Sequence, residues 1–183
     1  LNEEKNLAAT ITPHHLVVDY LFHVSQNESN VKIVEYGKTY EGRPLMLAFI
    51  SSVDNMDKLE QIRKDNLTRA GIIKGSTKTK KVGIVWLSYN VHGNEANSTE
   101  AAMKTLHALA DKSNITTQEW LKNTVVIIDP SVNPDGRDRY ANWYRMTANR
   151  WPDADPLGRE HMEPWPGGRT NHYYFDLNRD WAW

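Results

Sequence analysis

Apolar residues first recur at helical spacing between Pro13 and about Ser25, where Leu16, Val17, Tyr20, Leu21 and Val24 fall on one stripe. Pro13 suits the start of such a helix, because the first-turn N–H it lacks would have no partner there. Val31, Ile33 and Val34 then precede a turn region from Gly37 to Gly42, and Pro44 leads into the apolar run Leu45 to Ile50. Two short apolar runs around a turn predict a β-hairpin. Asp54 to Asp65 is a candidate polar helix. Val82 to Ser88 is continuously apolar, which predicts a central strand covered on both faces. Beyond the polar loop Tyr89 to Asn97, the segment Ser98 to Asp111 places Ala101, Leu106, Ala108 and Leu109 on an apolar helical face, with Asn97 and Glu100 as a capping pair. Thr124 to Asp129 predicts a second buried strand, followed at once by Pro130 to Gly136. Strand, loop, helix, strand is the order of an α/β sheet, whose ligands bind beyond the carboxyl ends of strands. Both polar loops fall at such ends.

The pattern changes after Val132, because the last 51 residues contain neither Val nor Ile. After position 142 come five of the seven Trp and four of the eight Pro. No ordinary strand or aliphatic helix face is expected there. Loops beyond about 15 residues are seldom passive connections, so this aromatic, polar region is expected to wall a site.

Composition narrows the function classes. With 22 Lys+Arg against 23 Asp+Glu the net charge is −1, too small for bulk attraction to nucleic acid or an anionic membrane. The crowding of Lys74, Lys78, Lys80 and Lys81 reads as a solvated loop, since no Gly-rich phosphate cradle accompanies it. The longest apolar runs, Val82 to Leu87 and Leu45 to Ile50, are six residues each, against the ~20 that a membrane-spanning helix needs. There is no Cys, which excludes disulfides, thiolate chemistry, zinc fingers and iron–sulfur clusters. Leu1 to Ile11 holds no apolar signal region, so a leader is expected to have been removed or never included; the compartment is unassigned, with a secreted or periplasmic location favoured. A chain of 183 residues can bury about 70% of its unfolded surface, enough for one domain or part of one.

The polar loop after the first buried strand carries His92 and Glu95 as H-x-x-E. One imidazole and one carboxylate from a single loop suit Zn²⁺ when a third ligand arrives from elsewhere. The spacing alone is equally that of a surface His and a Glu near a helix start. Further along stand Asn133-Pro134-Asp135-Gly136, directly after the second buried strand, and Phe175-Asp176-Leu177-Asn178-Arg179-Asp180-Trp181. His161, Glu163 and His172 lie in a segment without regular spacing and read as structural or pocket-lining.

H-x-x-E, N-P-D-G and D-L-N-R in this order resemble the metallocarboxypeptidases of the zinc carboxypeptidase A type. The resemblance implies a mixed, twisted sheet flanked by helices, and makes residues 1–183 the N-terminal portion of a single catalytic domain that looks truncated. It makes His92 and Glu95 two of three protein ligands of one zinc ion. Asn178 and Arg179 become the clamp for the free C-terminal carboxylate of a peptide, a task for which a planar guanidinium beside an amide is apt. Asp176 matches the family carboxylate that hydrogen-bonds the zinc-bound His and fixes its tautomer. The family's oxyanion-stabilising Arg is assigned to Arg145, in Trp143-Tyr144-Arg145-Met146, with Arg150 and Arg169 as rivals; Asn133 to Gly136 is expected to be a turn that positions this segment.

Two departures matter. The family's third zinc ligand, a His, and its general-base Glu and substrate-contacting Tyr come later in its order than anything here. Many members also carry an Arg directly before the Glu of H-x-x-E, where this chain has Asn94. The expected activity is zinc-dependent hydrolysis of C-terminal peptide bonds by the parent protein, the chain alone being inactive, with association through an incomplete sheet edge as an expected consequence. An amide hydrolase or deacylase on the same scaffold is one alternative. A non-catalytic peptide- or glycan-binding module, stacking sugars on Trp151 or Trp165, is another.

Overall fold

The computed structural model describes residues 11–149 and 151–181. Helix α1 (His14–Asn27) starts at Pro13 and buries His14, Val17, Leu21 and Val24. Leu16, expected on that stripe, is 46% exposed; three- and four-residue steps from Val17 carry the inward face past it. Strands β1 (Val31–Lys38) and β2 (Pro44–Ile50) form the hairpin, antiparallel, with a bulge between Glu35 and Gly37. The extra residue at the bulge is Tyr36, whose hydroxyl donates to the buried Asp129 carboxylate at 2.8 Å. The polar helix is two helices, α2 (Val53–Met56) and α3 (Leu59–Arg69).

The sheet is completed by β3 (Gly83–Ser88) and β4 (Thr124–Asp129) in the order β1-β2-β4-β3. β4 runs antiparallel to β2 and parallel to β3, so the sheet is mixed. Alternation along β2 and β4 divides the core. Met46, Ala48, Ile50, Val126 and Ile128 meet α1 and helix α4 (Asn97–Ala110), whereas Leu47, Val125 and Ile127 meet Ile62 of α3 and Val82. Each fully buried aliphatic side chain contributes roughly 1.5–3 kcal/mol, and β4 buries five of its six residues. Helix α5 (Ile115–Leu121) leads into β4 and is capped by Asn114, which accepts from the Thr117 N–H.

Three expectations are corrected. The Val82 to Ser88 strand is at the edge, paired among the described residues with β4 alone, and its Ile84, Val85 and Trp86 are 43–58% exposed. An apolar run indicates what a strand can cover; its position depends on neighbours that the run does not encode. On α4 the buried residues are Thr99, Ala102, Leu106 and Ala110, and the helix starts without a side-chain cap. Glu100 is instead the ion-pair partner of Arg137, at 2.7 Å. The region after Val132 is not all loop, since helix α6 (Pro134–Thr147) runs for 14 residues. Its signals are an Asn133 cap and Pro134 in the first turn, and it buries Asp135, Gly136, Arg137 and Ala141 in place of aliphatics. Among the described residues no helix is long and apolar enough to cross a membrane.

His14 gives the fold a pH dependence. Its ring is 2% exposed, Nε2–H donates to the Pro44 carbonyl at 2.7 Å, and Nδ1 is buried without a partner among the described residues. Burial lowers its pKa below 6.5, outweighing the opposing pull of the Pro44 carbonyl. The unfolded chain therefore binds more protons below that value, so the stability contributed by neutral His14 is full above pH 6.5 and lost as pH falls toward the folded pKa. Melting temperature is expected to drop on acidification from pH 7 to 5, and less steeply in His14→Gln, which keeps a donor and does not titrate. Parallel pH profiles for the two proteins would exclude His14 as the cause.

Candidate active site

Three loops meet beyond the carboxyl ends of β3 and β4, and glycine decides how closely. A Cβ on Gly93 would lie 2.1 Å from the Arg137 nitrogen, 2.2 Å from the Gly136 carbonyl carbon and 2.6 Å from the Gly168 oxygen. One on Gly136 would lie 2.3 Å from that same Gly168 oxygen. Backbone thus packs on backbone, which only a residue without a side chain allows. The H-G-N-E, N-P-D-G and G-G-R segments are joined at this contact. Asn133 adds to it, accepting from the Gly136 N–H at 3.0 Å while its amide donates to the carbonyls of Arg169 at 3.3 Å and Thr170 at 3.1 Å. The N-P-D-G turn therefore starts α6 and positions the Arg169 segment.

His92 is 6% exposed, and each of its ring nitrogens lies beside a carboxylate. Nε2 is 3.0 Å from Asp176 Oδ1, and Nδ1 is 3.1 Å from Glu95 Oε1. Asp176 is held in turn by Arg169, whose Nε and Nη2 both reach Oδ2 at 2.9 Å, and by the Asn178 N–H at 3.0 Å. Partial burial pushes the Asp176 carboxyl up, but the hydrogen bonds from His92, Arg169 and the Asn178 N–H outweigh it and hold the group below its ordinary value. A carboxylate at Nε2 favours the tautomer with its proton there, which leaves the Nδ1 lone pair facing Glu95. Two acceptors 3.1 Å apart fit neighbouring ligands of a tetrahedral zinc, for which bonds of about 2.0–2.1 Å give an edge of about 3.3 Å. The donor set fits the metal but stops at two, since no group of three or more His, Cys, Asp or Glu able to hold a metal occurs among the described residues.

Asn178 and Arg179 occupy the 3₁₀ turn Leu177–Arg179, one step past Asp176, and both are exposed. The Asn178 side-chain oxygen accepts from the Trp181 indole at 3.1 Å, and Arg179 Nη1 donates to the Asn178 carbonyl at 3.1 Å. Arg145 stands elsewhere. It lies in the last turn of α6, exposed, and donates to the Ile11 carbonyl at 3.3 Å. Eight residues of helix put its backbone about 12 Å along the axis from Arg137, which is the residue against Gly93. Arg169 is the guanidinium at the site, with Nη1 3.3 Å from His92 Nδ1; Arg150 lies outside the described residues. His161, Glu163 and His172 do not converge: they pair with the Asp153 carbonyl, with Asn94 and the Gly168 N–H, and with Glu41 respectively.

The sequence pattern of the zinc carboxypeptidase family matches residues 17–183. Among solved structures, carboxypeptidase A from Helicoverpa armigera is similar at 22% identity and a TM-score of 0.53, over 75% of this chain and 28% of that one. The metallo-carboxypeptidase from Burkholderia cenocepacia is similar at 19% identity and a TM-score of 0.55, over 92% of this chain and 33% of that one. Bovine thrombin-activatable fibrinolysis inhibitor, bound to a tick carboxypeptidase inhibitor, is similar at 16% and 0.52, over 75% and 36%. At these identities the likeness establishes the fold, and the chain matches about a third of the length of these solved proteins.

Proposed function

The chain belongs to the zinc carboxypeptidase family, and on that premise we propose that it contributes the first part of an exopeptidase site acting on peptides with a free C-terminal carboxylate. The observation that supports this most is the His92 ring, tethered at Nε2 by Asp176 and directed at Glu95 through Nδ1. His92 and Glu95 would hold zinc, and a His and a general base from outside these 183 residues would complete the site. When bound, the metal supplies Lewis-acid polarisation of the scissile carbonyl. Asn178 and Arg179 bind the substrate carboxylate through an amide and a planar guanidinium, which fixes the cut at the last peptide bond. Arg169, in place of Arg145, holds the oxyanion, because its guanidinium already lies beside His92.

Hydrolysis by the protein carrying the complete domain should be compared on peptides with free and amidated C-termini and on N-acyl amino acids. Release only from free C-termini is expected. Preference for acyl amino acids would point to a deacylase, and zinc-independent binding without turnover to a non-catalytic module.

Asp176→Ala in that protein is expected to weaken zinc affinity by about 10- to 100-fold with the melting curve of the apo form little changed. Chelator competition measures it, and unaltered zinc affinity would reject the tether.

A further inference from the structure

Asn90 has no part in H-x-x-E, N-P-D-G or D-L-N-R, yet every polar atom it owns is bonded, its side-chain amide around the loop that carries His92 and Glu95. It is 2% exposed and sits at φ +57, a left-handed conformation that Asn tolerates better than other residues with side chains. Its side-chain amide donates to the carbonyls of His92 at 2.8 Å and Glu95 at 3.1 Å, with the Gly93 carbonyl at 3.4 Å. Its side-chain oxygen accepts from the Ser131 hydroxyl at 3.1 Å. Its backbone N–H donates to Ser98 Oγ at 2.9 Å, and its carbonyl accepts from the Asn133 N–H at 3.2 Å. One buried amide thus draws the two candidate ligand residues' own carbonyls to a single point and ties them to the loop after β4.

We infer that Asn90 is the positioning residue of the metal-ligand loop, setting the separation of His92 Nδ1 and Glu95 Oε1 by gathering the loop carbonyls. The inference rests on the zinc reading above for its consequence, but its geometry stands on this loop alone. Four residues holding two ligands have few internal bonds to fix them; within the loop, the Glu95 N–H reaches the His92 carbonyl at 3.1 Å. Without the Asn90 amide, the Gly93 carbonyl would lose its donor among the described residues, while the His92 and Glu95 carbonyls would each be left with one backbone donor, the Glu95 and Ser98 N–H groups; the cheapest relief is rotation of those peptides. Such rotation moves both ligands.

Two substitutions separate positioning from mere stability. Asn90→Gly keeps access to positive φ and deletes the amide; Asn90→Asp keeps size and shape but presents oxygen to the carbonyls. Both are expected to weaken zinc affinity of the protein with the complete domain by about 10- to 100-fold, the range seen when supporting partners of metal ligands are removed. kcat should fall with the peptide KM little changed, because the Asn178–Arg179 clamp is untouched. Thr117→Ala, which removes a buried hydroxyl of α5 bonded to the Ala108 carbonyl of α4 and to the Asn114 carbonyl at the start of α5, should lower melting temperature and leave zinc affinity unchanged. Amide hydrogen exchange of residues 92–98 in the apo protein should accelerate in Asn90→Gly and not in Thr117→Ala. Zinc affinity and loop exchange of both Asn90 variants indistinguishable from the unsubstituted protein, or losses matched by Thr117→Ala, would overturn the inference. If the unsubstituted protein binds no zinc, the functional reading fails; the exchange data then decide the role of Asn90, acceleration confined to the loop supporting it and unchanged exchange overturning it.

Discussion

The 183-residue chain assayed alone with added zinc is expected to release C-terminal residues at least about 10²- to 10⁴-fold more slowly than the protein carrying the complete domain, the usual effect of lacking a positioned general base. The two proposed ligands, His92 and Glu95, fall short of the three protein groups that catalytic zinc normally has, so metal affinity should fall as well. Glu95 is exposed on its side chain by 61%, which leaves it free to swing away when no further ligand pins the ion. The β3 edge adds a physical symptom. Its exposed Ile84, Val85 and Trp86 and the one-sided pairing with β4 offer an apolar strand to other molecules, so self-association at raised concentration is expected. Parallel assays of the two proteins on one peptide, with sedimentation of the short chain, measure both. Turnover by the short chain at the rate of the longer one would show that these 183 residues already form a sufficient site.

Gly93→Ala is expected to be the most damaging Gly→Ala change among the described residues. The added carbon would meet three backbone atoms of two other loops at 2.1–2.6 Å, and backbone cannot step aside as a flexible side chain can. Overpacking typically costs 1–3 kcal/mol; with no side chain to yield, a cost near the top of that range, about 3 kcal/mol, should lower the melting temperature by roughly 6–12 °C. The same separation of loops would pull His92 from Asp176 and Arg169 together, so zinc affinity of the complete domain should fall with it. Gly37→Ala is the comparison, since a Cβ there meets only Leu45 Cδ1 at 3.9 Å. Thermal melts of the two variants decide it: equal stability for both would mean that the three loops are not held by this contact.

Much of the layered fold is legible from periodicity alone. The hairpin strands and β4 follow from short apolar runs, and α1 from a helical stripe of which Val17, Leu21 and Val24 are buried, because such segments must cover an apolar face wherever they sit. H-x-x-E is legible for a related reason: its residues are three apart and share one loop, so the chain itself brings His92 and Glu95 together. The same locality places Asp176 beside Asn178 in D-L-N-R. What the chain could not state is everything set between segments. β3 reads as central from its own residues, yet among the described residues the strand order places it at an edge. α4 has Ala on several sides, so its inward face is decided by what packs there and not by hydrophobicity. α6 is held by an Asn133 cap, a buried Arg137 and a glycine contact, none of which produces an aliphatic stripe. The proposal of Arg169 over Arg145 rests on which guanidinium lies beside His92 in space, and sequence distance carries no such information. Sequence by itself determined the local geometry and chemical inventory, since covalent spacing fixes neighbours in the chain; tertiary structure decided which groups meet, because that depends on three glycines letting separate backbones touch.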